Sequence, residues 1–201
     1  MSSPFSTLPA LVRATAITLA ASALFSSAHA AVDIKGAKFE DTYQLANQSL
    51  SLNGAGVRVK VVFDVYAAGL YVPRKGHEAA ALLSQPGAKS LQIVLLRDLT
   101  GEDFADAMTK GFAQTNTAAD QTRFQARLDD LRRLMVDIGK ARKGAVIHLN
   151  FTPGSGTSVV FNGARRGADI SGDDFFPALM RIWLGNPPVD SDLKNALLDS
   201  K

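Results

Sequence analysis

Two arginines and a tyrosine in this chain could together bind an oxygen anion. Arg58 and Tyr66 lie in the segment from Asn53 to Pro73 (NGAGVRVKVVFDVYAAGLYVP), and Arg97 directly follows a later apolar run. A guanidinium group and a phenol can each donate hydrogen bonds to an anionic oxygen, and a guanidinium can bind a carboxylate through two parallel bonds. These residue types predict a site for a carboxylate or a phenolate.

Strand periodicity places Arg58 and Tyr66 on one face of the segment, because side chains of a strand alternate between its two faces. The same face carries Lys60 and Asp64, and the opposite, predicted core face carries Val57, Val59, Val61, Phe63 and Val65. The polar face is either solvated or the floor of a cleft covered by helices, and periodicity alone favours a solvated face.

The spacing between the two residues leaves the partner of Tyr66 open. On one extended strand Arg58 and Tyr66 would lie about 26 Å apart, too far to share a carboxylate unless the strand bends or a hairpin folds between them. Arg97 is therefore an alternative partner for Tyr66.

His148 is the other candidate for chemistry. It lies beside Asn150 on the polar side of an alternating run, residues 145–151, where it could act as a general base. No carboxylate lies at strand spacing from it, so a surface histidine is the favoured interpretation. The histidines show no metal-ligand spacing and the chain has no cysteine, so we predict no metal, no cofactor and no disulfide.

The elements that would position these residues alternate between strands and helices. We predict two adjacent strands within 53–73, broken at Ala67-Ala68-Gly69, and a buried strand over 90–96. Further strands are predicted at 145–151, 157–161 and 164–168, the last two joined by Asn162-Gly163, a strong signal for a tight hairpin turn. The hairpins predict an α+β fold with an antiparallel sheet and helices mostly on one side.

Helices are predicted over 77–84, 101–115, 117–139, 171–184 and 192–198. Thr100, with Asp103 three residues later, is the expected N-cap of the second helix, and Ser171 and Ser191 are the expected caps of the last two. Phe104, Met108 and Phe112 recur at helical spacing, which favours a core position. They could also line a ligand cavity if this helix covers the sheet.

The first thirty residues have the pattern of a secretory signal peptide. Residues 14–25 form an apolar run, and Ala28 and Ala30 are the small residues expected before a cut after Ala30. We predict that residues 31–201 form one domain and contain no apolar run long enough to span a bilayer. The expected location is the periplasm or outside the cell. A formal net charge of +3 without a block of basic residues does not favour nucleic acid as a partner.

Four motifs resemble those of the chalcone isomerase-like family, in its bacterial exported branch. They are VYAAGLYVP over 65–73, RDLTGEDF over 97–104, Asn162-Gly163 in a late hairpin, and Ile182-Trp183-Leu184-Gly185 followed by VDSDLKNALL over 189–198. The resemblance covers nearly all of 32–198. It implies an open-faced β-sandwich, in which helices cover a large antiparallel sheet and a ligand cleft lies between the two layers.

The resemblance does not imply chalcone cyclisation. By position, the catalytic Tyr, Lys and Asn of the plant isomerases fall at Phe104, Ala107 and Gly111, and their two Thr residues fall at Ile182 and Tyr66. The strand Arg is kept, as Arg58. Because the polar groups that orient the substrate are mostly missing, we assign no catalytic residue.

The pair of Arg and Tyr is similar to that of the fatty-acid-binding members, which hold a carboxylate above an apolar cleft. The implied ligand-binding residues are Arg58, Tyr66, Arg97, Phe104, Met108, Phe112 and Ile182. The expected function is periplasmic binding of a small hydrophobic or amphipathic anion such as a fatty acid. Two alternatives are an isomerase or lyase acting on a hydrophobic enone, and a structural or partner-binding protein whose cleft is filled by its own side chains.

Overall fold

A computed structural model describes residues 31–199. The predicted signal peptide, residues 1–30, lies outside the described residues. The strands are β1 (Val32–Ile34), β2 (Ala37–Phe39), β3 (Thr42–Leu45), β4 (Gln48–Lys60), β5 (Phe63–Val72), β6 (Lys89–Leu95), β7 (Leu99–Thr100), β8 (Lys140–Ala141), β9 (Val146–Thr152), β10 (Gly156–Phe161) and β11 (Ala164–Ile170). The helices are α1 (Ala79–Ser84), α2 (Gly101–Thr115), α3 (Ala118–Val136), α4 (Phe175–Leu184) and α5 (Ser191–Leu197).

One antiparallel sheet of seven strands forms the centre of the fold. Its order is β11-β10-β9-β6-β5-β4-β3, so nearly every neighbour is also a neighbour in sequence. The helices cover one face, and the small β1–β2 hairpin packs on the other. The predicted α+β fold, with a large antiparallel sheet covered by helices, is confirmed.

The main core lies between the sheet and the helices. Leu70, Ile93 and Leu149 project from three adjacent strands, and Phe112 of α2 and Trp183 of α4 pack in the same cluster. All five side chains are almost fully buried. Because burying such a side chain stabilises the fold by about 1.5–3 kcal/mol, this layer accounts for much of what keeps the helices on the sheet.

The predicted break at Ala67-Ala68-Gly69 is wrong, because these residues lie inside β5. Ala67 and Ala68 pair with Val94 and Ile93 of β6. A side chain at Gly69 would place its Cβ 2.6 Å from the ring of Phe39, so this position must be small to let the β1–β2 hairpin pack against the sheet.

The chain instead reverses at Val61-Val62, between Lys60 and Phe63, which pair with each other. Alternation therefore stops there, and the predicted core face is wrong at three of its positions: Val59, Val61 and Phe63 are 45%, 89% and 61% exposed. Two valines carry no turn signal, which is why the sequence concealed the hairpin.

Glycines of β4 allow α5 to lie directly on the strand. A Cβ at Gly54 would be 2.1 Å from the carbonyl oxygen of Ala196, and one at Gly56 would be 2.5 Å from the Cβ of Ala196. Asn53 fixes the end of the same helix, because its amide donates to the carbonyl of Leu197 at 2.8 Å. Close packing of backbone on backbone thus sets the position of α5 over β4.

The predicted N-cap is confirmed at α2. The caps predicted for the last two helices, α4 and α5, are wrong. The Thr100 hydroxyl accepts from the backbone N–H of Asp103 at 3.0 Å, and the Asp103 carboxylate accepts from the N–H of Thr100 in return. Ser171 is not a cap, because α4 begins at Phe175, and Asp190 rather than Ser191 caps α5. Aspartate replaces serine there because its carboxylate accepts the N–H of Leu193.

Candidate functional site

A β-bulge brings Arg58 and Tyr66 together. Arg58 pairs directly with Tyr66 across the β4–β5 ladder, but the next pair is Val59 with Asp64, so Val65 is an extra residue in β5. A bulge of this kind redirects side chains, and Val65 and Tyr66 are consequently both buried in the core beneath the helices. The two functional side chains therefore lie on adjacent strands rather than far apart on one strand.

The distances from guanidinium groups to aromatic rings show which arginine lies next to Tyr66. The guanidinium carbon of Arg58 lies 5.8 Å from the centroid of the Tyr66 ring. Arg97 instead has its guanidinium carbon 5.8 Å from the ring centroid of Phe63 at the hairpin end. Arg58 is the direct neighbour of Tyr66, and Arg97 lies at the edge of the same site.

A cleft of about 290 Å³ opens where the ends of β4 and β5 meet the first turns of α2. It brings together four of the seven predicted ligand-binding residues: Arg58, Tyr66, Arg97 and Phe104. The remaining lining residues are Lys60, Val65, Asp98, Leu99, Asp103 and Ala107. The cleft is therefore apolar on its inner side and charged at its edge.

Tyr66 is a neutral hydrogen-bond donor at the inner wall of this cleft. Its side chain is almost fully buried, and its hydroxyl accepts a hydrogen bond from Trp183 Nε1 at 2.8 Å. Burial raises the pKa of Tyr66 to about 12, although the nearby Arg58 and the bond from Trp183 act in the opposite direction. The phenol therefore keeps its proton at neutral pH and can donate it in a hydrogen bond to a ligand oxygen.

Arg58 contains an N–H group without an acceptor. Its Nε is buried and has no hydrogen-bond partner among the described residues. A buried donor without an acceptor costs about 1–3 kcal/mol, and a hydrogen bond to a charged partner is stronger than one between neutral groups. Arg58 lines the cleft, so a carboxylate bound there would lie beside its guanidinium group.

The charges around the cleft favour an anion. Lys60 and Arg97 are exposed cations at its edge. The two acids there already accept hydrogen bonds, Asp98 from the N–H of Lys143 and Asp103 from Thr100, whose bonds lower the pKa of the Asp103 carboxyl. These acids are thus engaged in holding the loop and the helix start.

The other three predicted ligand-binding residues do not line this cleft. Phe112 lies in the core with its ring centroid 6.3 Å from those of Phe124 and Phe175. Ile182 covers Gly111, where an added Cβ would come within 3.0 Å of it, and Met108 is buried between α2 and α3. Their side chains fill the interior beneath α2.

Two residues of the site were not singled out by sequence reasoning. Lys60 is not among the predicted ligand-binding residues, although it lies on the same face of the predicted strand as Arg58. Trp183 stands next to Ile182 in the motif Ile182-Trp183-Leu184-Gly185, and its buried indole N–H donates to the Tyr66 hydroxyl. A buried Trp requires an acceptor for its N–H, and that requirement could have identified it.

A second groove adjoins the cleft. It measures about 420 Å³ and lies beside the short β7–β8 ladder. It shares Asp98, Leu99 and Asp103 with the cleft and adds Thr100, Lys140, Ala141 and Arg142. A ligand longer than the cleft has room to continue along this surface.

His148 is partly buried rather than exposed at the surface, which departs from the favoured interpretation. Its ring stacks on Tyr43 with centroids 4.7 Å apart, and its Nδ1 is buried with no hydrogen-bond partner among the described residues. Burial lowers the pKa of His148 to about 4, which makes it a weak base at neutral pH. It does not line the cleft of Arg58 and Tyr66.

The described residues contain no cluster of three or more His, Cys, Asp or Glu side chains suited to a metal ion. Within 31–199 none of the helices combines the length and the apolar character that crossing a bilayer requires.

Comparisons with known proteins agree with the architecture. A family model described as chalcone isomerase-like matches residues 31–199. A solved structure of a fatty-acid binding protein from Arabidopsis thaliana superimposes with a TM-score of 0.63 at 18% identity, covering 85% of this chain and 96% of that chain. At this identity the likeness establishes the fold alone. The search of curated proteins found no match.

Proposed function

The chain belongs to the chalcone isomerase-like family, as its motifs predict, and from this premise we propose that it binds a small amphipathic anion such as a fatty acid. The observation that carries the proposal is Arg58, which lines a cleft beside Tyr66 and whose buried Nε–H has no acceptor among the described residues. The name of the similar Arabidopsis protein, which describes fatty-acid binding, supports the same ligand class.

The ligand carboxylate would accept hydrogen bonds from Arg58 and from the neutral hydroxyl of Tyr66. Lys60 and Arg97 at the edge would attract it from solution, since exposed charges raise the rate of encounter more than the affinity. The apolar part of the ligand would lie against Val65, Leu99 and Phe104, which supply the apolar surface of the cleft.

The same cleft argues for binding rather than cyclisation. Of α2, Asp103, Phe104 and Ala107 line the cleft, and the latter two have no polar side-chain group that could orient or protonate a substrate. Asp103 accepts hydrogen bonds within its capping pair. A protonated Tyr66, with a pKa near 12, is suited to donate a hydrogen bond rather than to remove a proton.

Titration with dodecanoate by isothermal calorimetry tests the proposal. Replacing Arg58 by Gln should weaken binding by about 10–100-fold, because it removes a charge-assisted hydrogen bond, and Tyr66→Phe should weaken it by about 3–10-fold. Arg133→Gln is the matched control, since Arg133 is an exposed cation of α3 paired with Asp130. Equal affinity of the wild type and Arg58→Gln, or no binding by the wild type, would overturn the proposal.

We further propose that binding takes place in the periplasm, a location supported by the signal-peptide pattern of residues 1–30. Expression of the full chain with cell fractionation tests this. The expected product is periplasmic with Ala31 as its first residue, and an uncleaved cytoplasmic product would contradict it.

A further inference from the structure

The hairpin tip, defined as residues 59–63 at the end of β4 and β5, exposes a concentrated apolar surface. Four of the six large apolar side chains exposed among the described residues belong to it: Val59, Val61, Val62 and Phe63. Val61 and Val62 are 89% and 76% exposed. Scattered exposed apolar residues are ordinary, but a contiguous group indicates an interaction surface.

The backbone conformation of this turn disfavours valine. Val61 has a φ of +60°, a backbone conformation that β-branched residues strongly disfavour. A two-residue hairpin turn with a positive φ at its first position favours Gly there. The tip therefore carries two valines against the preference of its own backbone, and strain of this kind is characteristic of functional segments.

Two exposed cations, Lys60 and Arg97, lie at the apolar tip. Lys60 lies within it, and the exposed Arg97 places its guanidinium 5.8 Å from the Phe63 ring centroid. Asp64, the acid next in sequence, is paired with Lys35 at 2.5 Å. Asp98 beside Arg97 accepts the backbone N–H of Lys143. Asp190, whose carboxylate accepts the N–H of Val59, also lies beside the tip. The tip thus presents apolar side chains at its end, with the exposed cations Lys60 and Arg97 next to them.

We propose that the hairpin tip docks the protein on the surface of an anionic lipid membrane. Valine and phenylalanine side chains would enter the boundary between headgroups and acyl chains, while Lys60 and Arg97 would contact anionic headgroups. Apolar side chains backed by Lys and Arg are the combination that binds such an interface, where the cations supply the electrostatic attraction.

Docking in this orientation would bring the entrance of the cleft to the lipid. Lys60 of the tip and the neighbouring Arg97 both line the cleft, so the docked surface and the cleft edge are continuous. Membrane lipids would then be the source or the destination of the bound ligand. The cargo in this picture rests on the proposed function, whereas docking itself requires no ligand.

Co-sedimentation with vesicles tests the docking. The purified protein should bind vesicles of equal parts phosphatidylglycerol and phosphatidylcholine, bind pure phosphatidylcholine weakly, and lose affinity as salt is raised. The double variant Val61→Gly/Val62→Ser should bind the anionic vesicles about tenfold more weakly. It lacks the two valine side chains whose transfer from water into the lipid interface favours binding. Its melting temperature should not fall, since Gly suits the turn.

Val136→Ser is the matched control, because Val136 is 41% exposed on α3 outside the tip, and its vesicle binding should equal that of the wild type. Failure of the wild type to bind anionic vesicles overturns the proposal, as does equal binding by the double variant. A change of oligomeric state in the double variant, measured by light scattering, would assign the tip to a second copy of the chain and would also overturn it.

Dodecanoate titration without vesicles separates this proposal from the proposed function. Val61 and Val62 do not line the cleft, so the double variant should bind the free acid as the wild type does. Loss of acid binding by Arg58→Gln with vesicle binding retained would support both proposals. An absence of acid binding in every form, with docking retained, would overturn the proposed function alone.

Discussion

Tyr66 and Arg58 are hydrogen-bond donors, whereas the polar groups of an acid–base catalyst exchange protons with the substrate. Burial keeps the phenol neutral, with a pKa near 12, and the indole N–H of Trp183 occupies one acceptor site of its oxygen. The guanidinium of Arg58 is permanently charged and has a buried N–H to donate. Both groups are therefore donors at neutral pH, which suits recognition of an anion.

His148 makes the stability of the fold depend on pH. Its pKa is lowered to about 4 by burial, whereas an unfolded histidine has a pKa of about 6.5. Between these values the unfolded chain binds a proton that the folded chain does not, so the stability present above pH 6.5 is lost as the pH falls toward 4. The loss should reach at most about 3 kcal/mol.

Urea unfolding at pH 7 and pH 4.5 measures this dependence, and His148→Gln should reduce the difference between the two midpoints. An unchanged difference in His148→Gln would show that other groups carry the pH dependence.

At the scale of elements, the sequence was informative wherever local chemistry determined the structure. Thr100 and Asp103 predicted the start of α2 because each satisfies a backbone group of the other. Asn162-Gly163 predicted the β10–β11 turn because both residues adopt the positive φ that this turn requires.

The β4–β5 hairpin shows why the rest could not be predicted. Its turn uses Val61, whose residue type disfavours the conformation that it adopts, so the apolar alternation of the sequence runs on through the reversal. The expected 26 Å between Arg58 and Tyr66 followed from this error. The bulge at Val65 could not be predicted either, because it depends on the register between two strands rather than on residue type.

Gly54 tests how α5 is held on the sheet. Replacing it by Ala should lower the free energy of unfolding by about 1–3 kcal/mol, because the new Cβ would lie 2.1 Å from the Ala196 carbonyl oxygen and the helix backbone would have to move. Urea unfolding followed by circular dichroism measures the loss.

Gly76→Ala is the control for this substitution, since its Cβ would meet only the Leu82 side chain at 3.2 Å and the cost should be smaller. A shift of α5 would also disturb the hydrogen bond from Asn53 of β4 to the carbonyl of Leu197. A Gly54→Ala variant as stable as Gly76→Ala would mean that α5 can shift on β4 without loss.

In the molecule as a whole, the cleft is small and the interior beneath α2 is filled by side chains. Met108, Phe112 and Ile182, expected from the resemblance to line the cleft, close the space beneath α2. Ligand sites for drug-sized molecules measure about 300–1,000 Å³, so a cleft of about 290 Å³ suits a carboxylate with a short apolar segment. Sequence periodicity could not distinguish a filled interior from a cavity, because both require apolar residues at the same spacing.

Phe104 separates the cleft from this interior, since it lines the cleft and belongs to the core cluster that contains Met108 and Phe112. Phe104→Ala should therefore extend the cleft inward, at a cost of about 3–5 kcal/mol in the free energy of unfolding. Calorimetric titration with octanoate and hexadecanoate should show the ratio of affinities shifting toward the longer acid in this variant.

Phe124→Ala is the control: it removes a buried ring between α2 and α4 that does not line the cleft, so it should lose comparable stability without changing the ratio. If both variants shifted the ratio alike, general loosening of the core rather than the position of Phe104 would govern which chain length is bound.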